Sequence, residues 1–442
     1  MTTLSVARER RIFLGEDAVL TLPELVSLPL QWSVVISGLV PKRETAMLRM
    51  RNHPQNYDWG SRTGIQLFAG IGDASQPVAE VWMGAHPALP SDVLADDTFV
   101  ALDEHLADGP DVVAGPSEPK LPFLAKFLAA EKALSIQVHP DSELARQEFA
   151  REEEAGIALD DPRRVYRDPF HKPEVVYALT PFQLMVGLRR PQDSKRLVQN
   201  LGVADLAPLV DALTNEESEE RACAAAFEWV LDQRGQRVQW LDQAISRAKA
   251  LVSESSESDA VAYRTLVTLH REFPGDPTVL APLLMNVMTL EPGQALFTPA
   301  RVLHSYLGGL ALEVMASSDN VIRGGLSTKA VRADLVGEIV SFKPHAPEPL
   351  LPAEAAPSVK TYAPADVTDF AFDVVKVDHH EVTVGVSGPR IVLCLSGRVK
   401  AKTSNAIELE RGQSAFVSAE ESDVTLSGHG VAAVVYSENN VR

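Results

Sequence analysis

Residues 134–141 read LSIQVHPD, and residues 293–304, much later in the chain, read GQALFTPARVLH. Successive side chains of an extended strand alternate between its two faces, so Gln137 and His139 point the same way and can bind one cation. The second stretch carries Gly293 and Pro299, residue types that are common at tight turns, ahead of His304. The two stretches therefore predict the two halves of one metal site inside a small β-barrel.

A carboxylate ligand is supplied by residues 171–174, which read HKPE. Pro173 holds the residue before it extended, and the β-branched residues that follow predict a strand that begins at Glu174. Histidine nitrogens together with a carboxylate suit a zinc ion. A single histidine in an apolar strand is more often a hydrogen-bonded core residue, so the prediction depends on the whole set. One Zn²⁺ per chain is expected to be held by Gln137, His139, Glu174 and His304.

Residues 304–313, which read HSYLGGLALE, predict a hairpin beside this site. The pair Gly308-Gly309 is typical of a two-residue turn, which would place His304 directly opposite Glu313. Directly opposed residues share a face of the sheet, so Glu313 would lie beside the metal. Counting onward by twos brings Asp319 to the same face, with Arg323 just beyond a further turn. We therefore expect an acid, a polar row and a cation in one cavity.

The composition limits the class of protein. At 442 residues the chain is too long for one ordinary core, and two or three domains are expected. No apolar run reaches the roughly 18 residues of a membrane span, and a net charge of −19 argues against nucleic acid and anionic membranes as partners. The two cysteines, Cys223 and Cys394, give neither a disulfide framework nor a thiolate metal site. We expect a cytoplasmic protein that binds no membrane and no nucleic acid.

Strand-like and helical patterns alternate along the chain. Short apolar runs separated by turns dominate up to about residue 190. In the middle of the chain, Leu241, Ile245 and Ala248 recur at helical spacing. Short apolar runs resume near residue 284. We predict a mainly β fold with a helical insert. Residues 1–46 are expected to be a partly disordered extension, or to precede a true start at Met47. The catalytic barrel is expected at 47–190 and 285–343, with an α-helical domain between its two parts at 191–284. A linker at 344–359 and a degenerate barrel without the metal site at 360–442 would follow.

Five stretches together resemble one known family. They read QNYDWGS at 55–61, AEVWMGAHP at 79–87, LPFLAKFLAAEKALSIQVHPD at 121–141, HKPEVVYALTPF at 171–182, and EPGQALFTPARVLHSYLGGLALEVMASSDNVIRGGLSTK at 291–329. The family is type I phosphomannose isomerase of the cupin superfamily, whose second conserved motif has the Gly, Pro and His spacing of 293–304. The resemblance implies that Gly293 and Pro299 shape a tight entry into a strand and that His304 faces into the barrel. Residues 360–442 look like its C-terminal jelly-roll domain. The resemblance implies jelly-roll β-barrels and the same four zinc ligands.

By this resemblance the activity is a zinc-dependent interconversion of D-mannose 6-phosphate and D-fructose 6-phosphate. A proton would move between C1 and C2 through an enediolate, whose negative charge zinc and a fixed cation would stabilise. The residues implied to be catalytic are Arg323, Glu313 and Lys172. The base would be Glu313, or Lys172 if the charge of the metal favours its neutral amine. The residues implied to line the substrate pocket are Trp59, Lys126, Ser135, Asp319 and Lys329.

Two other functions are compatible with parts of this pattern. A cupin oxygenase would use two histidines and one carboxylate around iron, but Gln137 and the lack of an oxygenase motif argue against it. A sugar-sensing barrel could keep the metal for structure, but the row Glu313, Asp319 and Arg323 favours catalysis. Activity on unphosphorylated mannose and a role joined to a nucleotidyltransferase are lesser alternatives. We expect a monomer whose partner is a small sugar phosphate.

Overall fold

The computed structural model describes residues 11–13, 19–21, 47–73, 75–107, 121–236, 238–329 and 331–437. It separates into two units, Met1–Thr45 and Ala46–Arg442. In the first unit Arg11–Phe13 pairs antiparallel with Val19–Thr21. The rest of the extension predicted at 1–46 lies outside the described residues.

Ten antiparallel strands of the second unit form the sheet system that carries the predicted site. They are His53–Gln55, Glu80–Met83, Phe123–Ala130, Ile136–Val138, Glu174–Ala178, Phe182–Leu188, Met285–Leu290, Ala295–Thr298, His304–Ala316 and Ile322–Gly325. All eight residues of Phe123–Ala130 are buried because both of its faces are covered. Phe127 belongs to one apolar cluster and Leu128 to another, so Lys126 lies on the same face as Leu128.

The hairpin predicted at Gly308-Gly309 is wrong. Residues His304–Ala316 form one long strand, whose first part pairs with Phe182–Leu188 and whose second part pairs with Phe123–Ala130. The register shifts at the glycines, where Gly309 has φ +119° and approaches Pro181 O so closely that no Cβ would fit. An extra residue in one strand is a β-bulge. Glycine is common in both bulges and turns because it adopts positive φ values without strain, so the sequence alone does not distinguish them.

The bulge changes which side chains share a face. Tyr306 and Ala311 belong to the same apolar cluster, although an unbroken strand would put even and odd positions on opposite faces. Leu312 and Val314 belong to a different cluster. Glu313 therefore lies on the face of Tyr306 and His304, as predicted, but for a different reason.

Helices dominate the region between residues 191 and 284. They are Pro191–Asn200, Ala207–Ala212, Glu219–Asp232, Trp240–Glu254, Glu257–Glu272 and Ala281–Leu284, with 3₁₀ turns at Ala204–Leu206 and Pro277–Leu280. Leu241, Ile245 and Ala248 are buried, as the periodicity predicts. No helix in the described part of the chain is both long and apolar enough to cross a bilayer.

The helical core holds the strand that carries the first predicted ligands. Ile136 and Val138 belong to the same apolar cluster as Phe227 and Leu266 of the helices, and burial of each aliphatic side chain contributes about 1.5–3 kcal/mol. Because side chains alternate along a strand, Gln137 faces away from the helices and toward the barrel. Outside this region the described residues form helices at Gly64–Ala69, Leu102–Leu106, Ser142–Glu154 and Ala333–Ile339.

A second sheet system of eleven strands contains the C-terminal part of the chain. Its strands are Met47–Arg51, Asp92–Ala95, Thr98–Ala101, Ala353–Ala356, Val359–Tyr362, Ala371–Asp378, Val382–Val384, Arg390–Lys402, Ala406–Glu410, Ser414–Val417 and Val424–Tyr436. Met47–Arg51 pairs with Ser414–Val417, so the beginning of the predicted first barrel adds to this sheet. The strand Ala353–Ala356 lies where a linker is expected. The described chain is mainly β with a helical region, which confirms the predicted fold class.

Candidate metal and active site

Three of the four predicted metal ligands meet inside the first sheet system. Glu174 and His304 each begin a strand, and His139 directly follows the strand Ile136–Val138. Nε2 of His139 lies 3.4 Å from Oε1 of Glu174, and Nε2 of His304 lies 3.3 Å from Oε2. All three side chains are buried, and their ligand atoms lie within 4.8 Å of one another. This spacing allows one ion to contact all three.

Backbone carbonyls orient both imidazole rings. Nδ1 of His139 donates to the carbonyl of Asn320 at 2.7 Å, and Nδ1 of His304 donates to the carbonyl of Val302 at 3.0 Å. A carbonyl oxygen can only accept, so each ring carries its proton on Nδ1 and presents the lone pair of Nε2 to the carboxylate. Metal-binding histidines are commonly oriented in this way by a second partner.

The site is incomplete without a cation. Nε2 of His139 is buried and has no hydrogen-bond partner, and burial lowers the pKa of His139 to about 4. A neutral imidazole therefore aims a lone pair at a buried carboxylate, which is repulsive unless a positive charge lies between them. Two imidazole nitrogens and a carboxylate oxygen are a donor set that zinc accepts. The residues present fit a zinc ion.

Gln137, the fourth predicted ligand, lies next to this cluster. It pairs with His304 on one side and with Arg323 on the other. Its side chain is half-buried and lines the adjoining cavity. Gln137 therefore borders both the strand that begins at His304 and the cavity.

A cavity of about 970 Å³ adjoins the cluster and collects most of the predicted substrate residues. Lys172, Arg323 and all five predicted pocket residues line it; those five are Trp59, Lys126, Ser135, Asp319 and Lys329. Glu313 does not line the cavity. Its carboxylate contacts the cavity residue Lys126, whose Nζ lies 3.2 Å away. The volume is sufficient for a small polar ligand such as a sugar phosphate.

The lysines nearest the buried cluster already contact carboxylates. Lys126 lies 3.2 Å from Glu313 and 3.8 Å from Glu80. Although burial opposes its charge, these two carboxylates raise the pKa of Lys126 above its ordinary value. Burial raises the pKa of Glu313. Lys172 lies 3.1 Å from Oε1 of Glu174. These amines are committed to internal ion pairs.

Arg323 has no comparable partner. Among the described residues, no carboxylate lies within ion-pair distance of its guanidinium, and the same is true of Arg167 and Lys329, which also line the cavity. Burial lowers the pKa of Arg323, and the charge of Arg167 lowers it further. Lys329 lies 5.9 Å from the centre of the Tyr57 ring. These cations are available to an anionic ligand.

The sequence analysis missed the roles of Glu80 and Trp82. Trp82 donates its indole N–H to Glu80 at 2.8 Å, and Lys126 lies 5.1 Å from the centre of the Trp82 ring. Both residues alternate in EVWM, Glu80–Met83, and so share a face. Arg167 and the buried Asn320 were missed as well. Alternation could have found the first pair, but the partners of Arg167 and Asn320 lie far apart in sequence.

Comparisons with known proteins agree with this geometry. Residues 47–191 match the family model "Phosphomannose isomerase type I, catalytic domain", and residues 359–437 match "Mannose-6-phosphate isomerase, cupin domain". The chain is 36% identical to mannose-6-phosphate isomerase of Escherichia coli K12, with 89% of this chain and 100% of that protein covered. It is 31% identical to mannose-6-phosphate isomerase 2 of Arabidopsis thaliana, with coverage of 84% and 89%.

Solved structures give the same result. A structure of mannose 6-phosphate isomerase in a zinc-bound holo form has a TM-score of 0.78 at 33% identity. The Salmonella typhimurium enzyme bound to fructose 6-phosphate and zinc has a TM-score of 0.78 at 34% identity. Each alignment covers 89% of this chain and 100% of the other. The chain therefore belongs to the type I phosphomannose isomerase family.

Proposed function

We propose that the chain is a zinc-dependent aldose–ketose isomerase that interconverts D-mannose 6-phosphate and D-fructose 6-phosphate. The observation that carries this proposal is the buried Nε2 lone pair of His139, which faces the Glu174 carboxylate. The adjoining cavity is lined by cations that have no carboxylate partner among the described residues. A fructose 6-phosphate-bound and zinc-bound relative supports the same substrate and metal.

Zinc would be held by Gln137, His139, Glu174 and His304. When bound, it would supply Lewis acidity to a sugar oxygen on which negative charge develops. The protein supplies the rest of the site: carbonyls that fix both imidazoles, and apolar packing that keeps the ligands dry. Orientation before substrate arrives avoids reorganisation during the reaction.

Arg323 is proposed to stabilise the enediolate. It is the cross-strand partner of Gln137, so its position is close to the metal ligands, and its guanidinium lines the cavity. A guanidinium that lacks a carboxylate partner can give its full charge to the oxygen that becomes negative. Lys329 and Arg167 are proposed to hold the phosphate, because Lys126 is already neutralised by Glu80 and Glu313.

Lys172 is proposed as the group that moves the carbon-bound proton. It lines the cavity, whereas Glu313 lies behind Lys126. The ion pair with Glu174 positions the Lys172 amine at 3.1 Å from a proposed zinc ligand. A metal ion bound to Glu174 would compete with Lys172 for the carboxylate and weaken this ion pair. Glu313 remains the second candidate for the base, acting on substrate through a movement of Lys126.

The test is an assay of ketose formation by the purified full chain, which follows fructose 6-phosphate made from mannose 6-phosphate and fructose made from mannose. The expected result is turnover of mannose 6-phosphate with kcat/KM of at least about 10⁴ M⁻¹s⁻¹, and at least about a hundredfold lower kcat/KM with unphosphorylated mannose because the phosphate cations are then unused. Equal kcat/KM for the two sugars would contradict the phosphate assignment. No turnover of either sugar by folded, zinc-loaded protein would contradict the proposed function.

A further inference from the structure

We propose a second metal site, formed by Asp378, His379 and His429 on the surface of the C-terminal sheet and suited to a divalent transition metal ion such as zinc. This site is independent of the proposed catalytic metal. None of its residues lines the 970 Å³ cavity. Asp378 and His429 lie on paired strands of the C-terminal sheet, and His379 directly follows the strand that ends at Asp378.

The sheet places two of the ligands together. Asp378 ends the strand Ala371–Asp378 and is the direct antiparallel partner of His429 in Val424–Tyr436. Directly opposed residues have Cβ atoms about 5 Å apart on one face. Nδ1 of His429 lies 3.1 Å from Oδ1 of Asp378. The backbone alone therefore fixes a carboxylate beside an imidazole.

The third ligand is brought over this pair by an unusual backbone conformation. His379 has φ +55°, in the left-handed region, where Asn, Asp and His are the side chains found most often after Gly. Its N–H donates to the carbonyl of Gly428 at 2.9 Å, and its ring stacks on that of His429 with centroids 5.1 Å apart. This conformation turns the chain at the end of the strand and places the ring of His379 beside that of His429.

The distances suit a metal ion. Nε2 of His379 lies 4.0 Å from Oδ1 of Asp378, and one ligand atom from each of the three residues lies within 4.8 Å of the others. Ligand atoms around a tetrahedral zinc are about 3.3 Å apart, as follows from bonds of about 2.0 Å. Small side-chain rotations close the difference, because the His379 and His429 side chains are 80% and 71% exposed.

The neighbouring charges also permit a cation. Arg398 lies opposite His429 on the other side of its strand, but it is ion-paired with Glu410. Two imidazoles and a carboxylate select zinc or copper(II) over magnesium and calcium, which prefer oxygen ligands. With three protein ligands the ion keeps an open position for water, as exposed zinc sites do.

The adjacent His380 provides a matched control. Its Nδ1 contacts the backbone carbonyl of Asp378 at 2.8 Å, and its Nε2 lies 3.4 Å from Ser358 Oγ, so its ring is turned away from the other two. Removal of His380 deletes a neighbouring surface histidine without deleting a proposed ligand.

The experiment is titration of metal-free full-length protein with zinc chloride, followed by calorimetry. The wild type and His380→Ala should bind one more zinc ion per chain than the double variant His379→Ala/His429→Ala. Circular dichroism and a thermal melt check that all three proteins are folded. Because the changed side chains are exposed, activity at saturating zinc should be equal in the three proteins.

The comparison separates the two proposed sites. If the catalytic site bound no zinc, the wild type would bind one ion and the double variant none, which would support the surface site alone. Equal stoichiometry in the wild type and the double variant would overturn the proposal, whatever that stoichiometry is. The same zinc loss in His380→Ala as in the double variant would overturn it too, because non-specific surface binding would then explain the extra ion.

Discussion

The backbone carbonyl of Asn320 accepts a hydrogen bond from Nδ1 of His139 at 2.7 Å, on the side of the ring opposite Glu174. This hydrogen bond fixes the tautomer that leaves the Nε2 lone pair free to face Glu174. Asn320 is itself buried, and its side chain accepts from the backbone N–H of Arg167 and donates to the carbonyls of Asp168 and Phe170. The orientation of the proposed metal ligand therefore depends on a polar network at a distant point of the chain.

Replacing Asn320 by Ala should weaken both zinc binding and the fold. The change leaves buried carbonyls and an N–H without partners, which costs about 2–4 kcal/mol. The backbone carbonyl that orients His139 remains in this variant, but the side-chain hydrogen bonds that hold residue 320 in place are lost. Zinc affinity should therefore fall about tenfold or more, because the carbonyl partner of His139 is no longer held in position. Urea unfolding and zinc titration measure the two effects. Unchanged zinc affinity in a variant that is measurably less stable would show that the network supports only the fold.

Replacing Gln137 or Glu174 by Ala should lower zinc content and activity together. Each change removes one proposed ligand from a buried site in which the histidines cannot compensate. Metal analysis of the purified proteins and the isomerase assay give the two readouts, with Glu420→Ala as a control at an exposed carboxylate. Full zinc retention by both variants would reject these two ligands.

Replacing Arg323 by Ala should leave zinc bound but lower kcat by about a hundredfold or more, the size expected when a transition-state charge stabiliser is lost. Arg323→Lys should recover part of the rate, because the charge returns without the planar fork of donors. Steady-state kinetics at saturating zinc measure the effect. A near-normal kcat in Arg323→Ala would remove this residue from the chemistry.

The stability of the metal-free protein should fall in acid because of His139. Burial lowers its pKa in the folded protein to about 4, below the ordinary value of about 6.5 expected in the unfolded chain. The unfolded state therefore binds this proton first, so folding stability is lost as the pH falls from about 6.5 to 4. This contribution is about 3 kcal/mol when complete.

Urea unfolding of chelated protein at several pH values measures this loss. His139→Gln removes the titrating group, so its stability should decline less steeply over the same range, while every other histidine is common to both proteins. Parallel curves for the wild type and the variant would show that burial of His139 does not govern the acid sensitivity.

The sequence predicted local relationships better than distant ones. Gln137 and His139 share a face because alternation is a property of any extended strand, and the buried faces of the helices follow from the same kind of periodicity. The predicted ligands His139, Glu174 and His304 meet in the structure, although their assignment to a metal stays a prediction. The predicted domain boundaries also stay predictions.

The wrong hairpin shows where local reasoning ends. Gly308 and Gly309 satisfy the sequence requirements of both a turn and a bulge, and only the packing of Gly309 against Pro181 decides between them. The pairing of Lys126 with Glu80 and Glu313 could not be predicted either, because each residue lies on a different strand. Such contacts depend on strand order, which spacing along one segment does not specify.

The most direct test of the account is isomerase activity on mannose 6-phosphate measured three times on one preparation: as purified, after chelation, and after zinc is restored. The account predicts that activity disappears with the metal and returns with zinc. Magnesium should not replace zinc, because two of the proposed ligands, His139 and His304, offer nitrogen atoms. Full activity in protein shown to contain no metal would contradict the central claim.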